Sequence, residues 1–574
     1  MNKQQVEEIL EEIATLLELK GENPFKSRAY VNAARTIGSL DADLAEAVKT
    51  GELRKMKGIG EAIFGKISEL VTTGKLAYYD ELKTSVPAGL IEMLRIPGLG
   101  AKRAKTIYDK LGVSTVGELE YACNENRLVA LDGFGPKMQQ KILDGIQAIK
   151  RFRGRFLYPA AFSEAEIIFE ALKKLKTVNR ISIAGSLRRR KETVKDIDFV
   201  VSTKNPAAVM TVFTALPGVE EVIAHGETKS SIRLASGIQA DLRAVTDAEY
   251  PFALHHFTGS KEHNIAMRGR ALKMGFKMNE YGLFKGEKLL PCRDEEAIFR
   301  RVGLDFIPPE LREDMGEIPA AEEKRIPDLI ESGDIRGIFH NHTTASDGNA
   351  TLEEMVRAAR DAGYGYIGIS DHSRSAHYAN GLSVERVREQ HREIDSLQKR
   401  FRNITIFKGV ECDILPDGTL DYPDDVLATF DFVIASVHSK FQMSEAEMTG
   451  RVIRAIRNPH VTMLGHATGR LLLSRDGYPI DMRKVIDAAG ESGAMIELNA
   501  HPYRLDLDWR LGPYAKEKGV SISINPDAHS TEGIADVAYG VGAARKGWFT
   551  KNEVFNARTA AAVRKELDRR RKGR

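Results

Sequence analysis

From residue 335 onward the chain alternates seven short apolar runs, at 335–339, 366–370, 404–410, 431–437, 461–465, 494–498 and 520–524, with stretches of helical periodicity. Strand and helix alternating seven times argue for a barrel-like α/β domain. Six of the seven runs end in residue types that bind metal. The first leads into His340-Asn341-His342, with Asp347 five residues later, and the second ends at Asp371-His372. The third, fourth and fifth reach Glu411, His438 and His466, and the seventh reaches Asp527-Ala528-His529; the sixth ends at Asn499, not a typical ligand. Chemistry in barrels of this kind gathers at the C-terminal ends of the strands. One such histidine is more often a satisfied core residue, but that reading does not account for six strand ends in seven. Counting one side chain from the Asp371-His372 pair, nine ligand-type side chains exceed the three or four of a single tetrahedral site and suffice for two or three ions with open positions. Imidazole-rich ligation with added carboxylates suits Zn²⁺, Mn²⁺ or Fe²⁺ better than Mg²⁺ or Ca²⁺. Glu411 is the expected bridge, because a carboxylate has two oxygens.

Composition bounds the rest. A length of 574 residues suggests several folding units. Lys and Arg exceed Asp and Glu by 84 − 81 = 3, which excludes a globally basic, histone-like binder but not local basic patches. Cys123, Cys292 and Cys412 are too scattered for a disulfide framework and fit a reducing cytosol. The amphipathic N-terminus has no signal-peptide pattern, and no apolar run is long enough to span a membrane, so a soluble cytoplasmic protein is expected. None of the fourteen histidines precedes His225, and ten follow residue 335, so the chemistry changes along the chain.

Residues 1–150 read mainly as helix and contain an internal repeat. Three Gly-x-Gly turns, Gly58 with Gly60, Gly98 with Gly100 and Gly133 with Gly135, each precede a helix. Each has an isoleucine seven residues past its second glycine: Ile67, Ile107 and Ile142. Such a turn at a helix N-terminus aims free backbone N–H groups at a phosphate. A lone copy would be only a tight turn. Three in register, with Lys57, Lys102, Arg103, Lys105, Lys137 and Lys141 nearby, point to the DNA backbone.

From about residue 180 short strand-type runs appear, and Gly185-Ser186-Leu187-Arg188-Arg189 is followed by Asp196-Ile197-Asp198. Strand alternation puts Asp196 and Asp198 on one face, roughly 6–7 Å apart. Like charges that close need cations between them, as in a two-metal phosphoryl-transfer site. Asp241, in a later run, completes the cluster if its strand is adjacent. The Gly185-Ser186 turn offers donors to a phosphate, with Arg189 as charge partner. Residues 317–336, charged and holding two prolines, read as a linker with room for a short helix; Arg564–Arg574, with seven basic and two acidic residues, reads as a frayed, solvated tail or a nonspecific attractor of DNA.

The segments GSLRRRKETVKDIDFVV, QADLRAV and HFTGSKEHNIAMRGRALKMGFKMNEYGLF resemble the palm and thumb of a family X DNA polymerase, and with the three turns, which resemble helix-hairpin-helix motifs, the likeness covers about residues 1–316. It implies that Asp196, Asp198 and Asp241 hold catalytic Mg²⁺ or Mn²⁺ and that Asp241 favours activation of the primer 3′-hydroxyl. It further implies that Gly185, Ser186, Arg189 and Arg155 contact the triphosphate, and that Asn264 and Arg268, with Phe257 and Gly259, face the incoming nucleotide. His256 stands where animal members carry tyrosine, at a position that screens the ribose. Lys66 aligns with a Schiff-base lysine that removes 5′-deoxyribose phosphate, with Lys26 and Tyr30 as helpers, but a supporting lysine is replaced by Ala62.

The segments HNHTTASDG, ISDHS, GVECDI, ASVHS, LGHATGR and PDAH resemble the PHP (polymerase and histidinol phosphatase) family. Its implied ligands are His340, His342, Asp347, His372, Glu411, His438, His466, Asp527 and His529, on a distorted seven-stranded barrel that hydrolyses phosphoesters. The expected organisation is multidomain α and α/β: a helical lyase-like unit (1–78), a second helix-hairpin-helix unit (79–150), a nucleotidyltransferase palm (151–245), a thumb (246–316), a linker (317–336) and a (β/α)7 PHP barrel (337–574). Polymerase followed by PHP is the architecture of bacterial family X polymerases. The resemblance implies a monomer that fills gaps in DNA from dNTPs and carries 3′–5′ exonuclease, 3′-phosphatase and abasic-site activities. Two other readings remain: a DNA-end-binding scaffold, and a small-molecule nucleotidyltransferase fused to a metabolic phosphatase.

Overall fold

The computed structural model describes residues 3–572 apart from Ser39, 41–43, Lys57, Pro97 and 151–153; Lys57, named above beside the first turn, therefore lies outside the described residues. The chain divides into two compact units, Met1–Lys150 and Arg151–Arg574. Among the described residues no helix is long and apolar enough to cross a membrane.

The first unit is helical. Gly58, Gly98 and Gly133 have φ of 99°, 86° and 82°, a left-handed conformation that costs a side-chain-bearing residue energy and glycine none. Gly60, Gly100 and Gly135 stand immediately before the helices Glu61–Thr73, Ala101–Leu111 and Pro136–Lys150, and Gly60 and Gly100 are extended. Ile67, Ile107 and Ile142 are fully buried in one core that also holds Leu10, Leu17 and Ile37. The second and third turns share a concavity lined by Gly100, Lys102, Arg103, Gly133 and Phe134. Gly60 and Gly135 lie outside the lining of this concavity. Both are exposed, and a Cβ on either would meet nothing within 4 Å. Neither position demands glycine for its fold. Its lack of a side chain leaves the helix N-terminus open to close approach from outside.

The second unit begins with a five-stranded sheet in the order Val178–Ile183, Asp196–Thr203, Gln239–Val245, Lys229–Leu234, Val219–His225. Only the pairing of Asp196–Thr203 with Gln239–Val245 is parallel; its register sets Asp198 directly opposite Asp241. Alternation buries Ile197, Phe199, Ala240 and Leu242 on one face and leaves Asp196, Asp198 and Asp241 half-buried on the other. Helices Tyr250–Thr258, Lys261–Lys273 and Glu295–Arg301 follow, with a small three-stranded antiparallel sheet between them. In the segment read as a linker, helix Glu317–Glu322 forms, and Glu317 is buried with its carboxylate 2.8 Å from His263 Nδ1.

Seven parallel strands then pair in chain order: Gly337–Ile338, Tyr366–Ile369, Thr405–Asp413, Phe432–Ser436, Met463–Leu464, Met495–Asn499 and Ile522–Asn525. A bridge between Asn341 and Ala528 draws the two ends together. There Ala528 N donates to His340 O (3.2 Å), and Ala528 O accepts from His342 N (2.8 Å). The seven runs of the sequence are thus the seven strands of a nearly closed barrel. Its floor is an aromatic cluster of Phe339, Phe407, Phe432 and Phe555, each fully buried and each contributing roughly 1.5–3 kcal/mol. The basic C-terminal run is not a frayed tail. Helix Ala560–Lys572 inserts Val563 and Leu567 under that cluster, while Arg564 and Arg571 pair with Asp431 at 2.6 and 2.9 Å. An i, i+4 apolar pair, Val563 just before the charged run and Leu567 within it, supplies the anchor.

Candidate active sites

At the C-terminal mouth of the barrel all nine ligand-type side chains come together. They form four overlapping groups: His342, Asp347, His372 and His529; His340, His466 and Asp527; His340, His342 and Glu411; and His372, Glu411 and His438. Glu411 is the centre. Its Oε1 lies 2.8, 3.2 and 3.3 Å from Nε2 of His466, His438 and His340, and its Oε2 lies 3.0 and 3.6 Å from His372 Nδ1 and His342 Nε2. The two oxygens thus face different sets of imidazoles, as a bridging carboxylate requires.

Burial opposes charge on His372, yet Asp347 and Glu411 carry its pKa up to about 10. Burial also disfavours charge on Glu411, Asp347 and Asp527, but the surrounding histidines hold all three well below the usual carboxylate range. Meanwhile, among the described residues, Nε2 of His340 and both ring nitrogens of His342 and His372 are buried without a hydrogen bond of good geometry. Buried imidazole nitrogens left unsatisfied beside ionised carboxylates fit a donor set for divalent cations.

A second layer orients these rings. Glu497, fully buried, accepts from His340 Nδ1 (2.5 Å), His466 N (2.7 Å) and Asn525 Nδ2 (3.0 Å). Asp413 accepts from His438 Nδ1 at 2.7 Å and from Ser375 Oγ at 2.7 Å. With Nδ1 engaged outward, Nε2 of His340 and His438 points into the cluster. Asp371 accepts from Thr343 N and Thr343 Oγ1, both at 2.8 Å, and so fixes the loop that carries His342 and Asp347. Sequence reasoning singled out none of these three as supports. Their signal is positional: Glu497 and Asp413 lie two residues from Asn499 and Glu411, on the same strand face.

The half-buried carboxylates of the first sheet form the second candidate site. Burial, then the neighbouring Asp196 and Asp241 carboxylates, push Asp198 up to about 7; Asp196 is raised by burial and by Asp241. Such mutual repulsion fits a site that binds cations. Asp241 is held by Gln239 Nε2 (3.0 Å) and by the Ser231 hydroxyl. Gly185, at φ +60°, starts the short helix Gly185–Arg188, and a Cβ there would lie 2.0 Å from Asp198 Oδ2. Only glycine lets this turn lie against the carboxylate. Ser186 follows on the same turn. Arg189 Nε donates to Glu313 (3.1 Å) and Nη1 to Thr258 O, whereas Arg155 is turned to Thr193, 2.9 Å from its carbonyl oxygen. Arg188 and Arg312 each place a guanidinium 2.6 Å from Glu295; burial opposes ionisation of Glu295, but the two cations hold its pKa at about 2.

The structure brings His256 together with Asn264 and Arg268: Asn264 Nδ2 donates to His256 O (2.8 Å) and Arg268 Nη2 to His256 Nδ1 (2.9 Å). Burial lowers the His256 pKa, which keeps Nδ1 free to accept. Phe257 packs edge-on against the His256 ring, and Gly259 lies against Arg189. In the helical unit Lys66 Nζ lies 4.6 Å and Lys26 Nζ 6.0 Å from the centre of the Tyr78 ring, on which Tyr30 stacks at 6.4 Å. Tyr78, which the sequence did not bring to notice, is the residue that joins the three.

Taken with the glycine turns, the two acidic sites define a nucleic-acid enzyme with a nucleotidyl-transfer half and a metal phosphoesterase half. Family models agree along the chain: a helix-hairpin-helix domain matches residues 1–76, a SAM-like helix-hairpin-helix tandem 90–148, the DNA polymerase beta thumb 253–313 and the PHP domain 339–501. The DNA polymerase/3′–5′ exonuclease PolX of Bacillus subtilis (strain 168) is 42% identical over 573 residues, covering 99% of this chain and 100% of that protein. The chain belongs to the PolX family. Probable phosphatases of Thermoanaerobacter sp. (strain X514) and Acetivibrio thermocellus are 34% and 32% identical over 208 and 203 residues, covering 33% of this chain and 77% and 78% of their own lengths.

Proposed function

We propose that this chain is a cytoplasmic, DNA-directed DNA polymerase that fills short gaps in damaged DNA and trims or cleans 3′ ends with its PHP barrel, by 3′–5′ exonuclease, 3′-phosphatase and abasic-site cleavage. The single observation that carries the reading is two separate acidic sites in one chain, three carboxylates beside a glycine turn and nine ligand-type side chains in a barrel mouth.

In nucleotidyl transfer Asp196, Asp198 and Asp241 are the residues that would hold Mg²⁺ or Mn²⁺. Divalent ions held there would neutralise the carboxylates and the triphosphate and would favour the ionised 3′-hydroxyl. The backbone at Gly185, the Ser186 hydroxyl and the Arg189 and Arg155 guanidiniums orient the triphosphate for in-line attack. His256, with Asn264 and Arg268, shapes the sugar and minor-groove side of the nucleotide pocket. In the barrel the nine ligands would hold two or three Mn²⁺, Zn²⁺ or Fe²⁺ ions. Glu497, Asp413 and Asp371 keep the rings oriented, and exclusion of bulk water strengthens every charge interaction inside. The glycine turns grip phosphates of gapped or nicked DNA without reading bases; Gly100 and Gly133 do so from one shared concavity, Gly60 and Gly135 from open helix ends. Tethering the two activities raises the local concentration of a cleaned 3′ end at the polymerase site.

Primer extension on labelled gapped DNA tests this reading. Incorporation that depends on Asp196 and Asp198 supports it; DNA binding with neither incorporation nor hydrolysis would make the chain a scaffold. Lys66 is proposed as a lyase nucleophile: borohydride is expected to trap the wild-type protein, and not Lys66→Ala, on DNA bearing a 5′-deoxyribose phosphate. Equal trapping of both would place the nucleophile elsewhere.

A further inference from the structure

The helix Val537–Lys546 follows the last ligand strand of the barrel and runs along the back of the nucleotide turn. Tyr539 meets Tyr158 edge-on at 6.0 Å, and a Cβ on Gly542 would lie 3.3 Å from Arg190 Cδ. At the end of the helix Arg545 Nε donates to Glu310 Oε1 at 2.8 Å. Lys546, 1% exposed, closes the contact. Its three ammonium hydrogens are all committed outside the barrel: to Glu313 Oε1 (2.7 Å), to Arg189 O (3.0 Å) and to Glu310 O (3.2 Å). The Trp509 ring lies 4.5 Å away and completes the pocket.

Glu313 is shared. The oxygen that takes Lys546 also accepts Arg189 Nε at 3.1 Å, and its second oxygen lies 4.0 Å from Lys191. Arg189 is therefore held through its backbone by Lys546, through Nε by Glu313 and through Nη1 by Thr258 O. Among the described residues its Nη2 makes no hydrogen bond, which leaves one edge of the fork for an anion. Burying an ammonium is costly, and a well-packed apolar side chain of similar size is often no less stable. Fixing the direction of Arg189 is the property such a replacement would lose.

We propose that Lys546, carried by the metal-binding barrel, is a positioning residue for nucleotidyl transfer, aligning Arg189 on the triphosphate through Glu313 and the Arg189 carbonyl. The inference rests on the reading that Arg189 contacts the triphosphate. One residue of the hydrolytic half then helps to build the nucleotide pocket of the synthetic half.

The test is steady-state single-nucleotide gap filling by the full chain, as wild type, Lys546→Met, Arg189→Ala and the double variant, with 3′-end hydrolysis followed in parallel. Lys546→Met is expected to raise the dNTP KM about tenfold with kcat within about twofold, a size usual for coupled polar neighbours. Arg189→Ala should raise it further, and the double variant should be no worse than Arg189→Ala alone. An unchanged dNTP KM in Lys546→Met overturns the inference, and so does an effect that simply multiplies that of Arg189→Ala. If Arg189→Ala itself leaves the dNTP KM unchanged, the triphosphate reading fails and the inference falls with it. Should Lys546→Met lose both activities through misfolding, Glu313→Gln serves instead, since it keeps an acceptor oxygen but drops the charge. A KM raised about threefold is then expected, and an unchanged KM overturns the proposal.

Discussion

The two candidate metal-binding regions solve the problem of concentrated charge in opposite ways. In the barrel, six histidines interleave with Asp347, Glu411 and Asp527, so each buried carboxylate meets cationic or neutral nitrogen and stays ionised. In the sheet, Asp196, Asp198 and Asp241 face one another half-exposed, and the most buried of them is driven up to about 7. The barrel site is built before any substrate arrives and is enclosed by a second layer of carboxylates. The sheet site is open and electrostatically incomplete. Strands of parallel pairs thus carry both a closed histidine–carboxylate cluster and an open carboxylate site, and the difference lies in which side chains surround the carboxylates.

The largest single effect expected in breaking this contrast comes from Gly185→Ala. Its methyl group would occupy the position of the Asp198 carboxylate, at a φ of +60° that disfavours alanine. Gap filling should fall about 100-fold, the size expected when a reacting group is displaced by about 1 Å, while 3′-end hydrolysis persists. Full incorporation would mean that Asp198 is not needed where it stands.

Much of this contrast is legible in the amino-acid sequence. The run-ending ligands of the barrel and the three glycine turns are local patterns, and spacing of two on a strand or seven past a turn carries them directly. What the repeat does not reveal is that its glycines differ in kind: Gly58, Gly98 and Gly133 have a positive φ, whereas Gly60, Gly100 and Gly135 do not. Supports lying inside apolar runs are less visible still. Glu497 sits within Met495–Asn499 and reads as ordinary alternation until His340, 157 residues away, is seen to bond it. Lys546 is hidden for a similar reason. A lysine at a helix C-terminus reads as a complement to the helix dipole, and its acceptors lie 233 and 357 residues away. The basic C-terminal run misleads because its charge outweighs the Val563 and Leu567 pair that anchors it.

Glu497→Gln sharpens the comparison on the barrel side. It keeps the shape but removes the charge that orients His340, so hydrolysis and metal content should drop about tenfold, the lower range for outer-layer partners, with gap filling retained. Metal titration against both activities checks it, and unchanged hydrolysis would show that the ring needs no such support. The smallest effect concerns His256→Tyr. A larger phenol edge near the sugar should raise the preference for dNTP over rNTP by about threefold, a fraction of what a built contact gives; identical ratios in the two proteins would remove His256 as the gate.

The central claim is that one chain carries two chemically distinct metal sites, one synthetic and one hydrolytic. It is tested most directly by measuring gap filling and 3′-end hydrolysis side by side on Asp196→Ala/Asp198→Ala and His340→Ala/His342→Ala, with bound metal counted by mass spectrometry. The first variant is expected to lose incorporation and to keep hydrolysis and its barrel metals. The second should lose hydrolysis and at least one ion, yet still extend a clean 3′-hydroxyl. Full hydrolysis by the histidine variant at reduced metal content would contradict it, and the barrel cluster would then be a structural feature rather than the hydrolytic site.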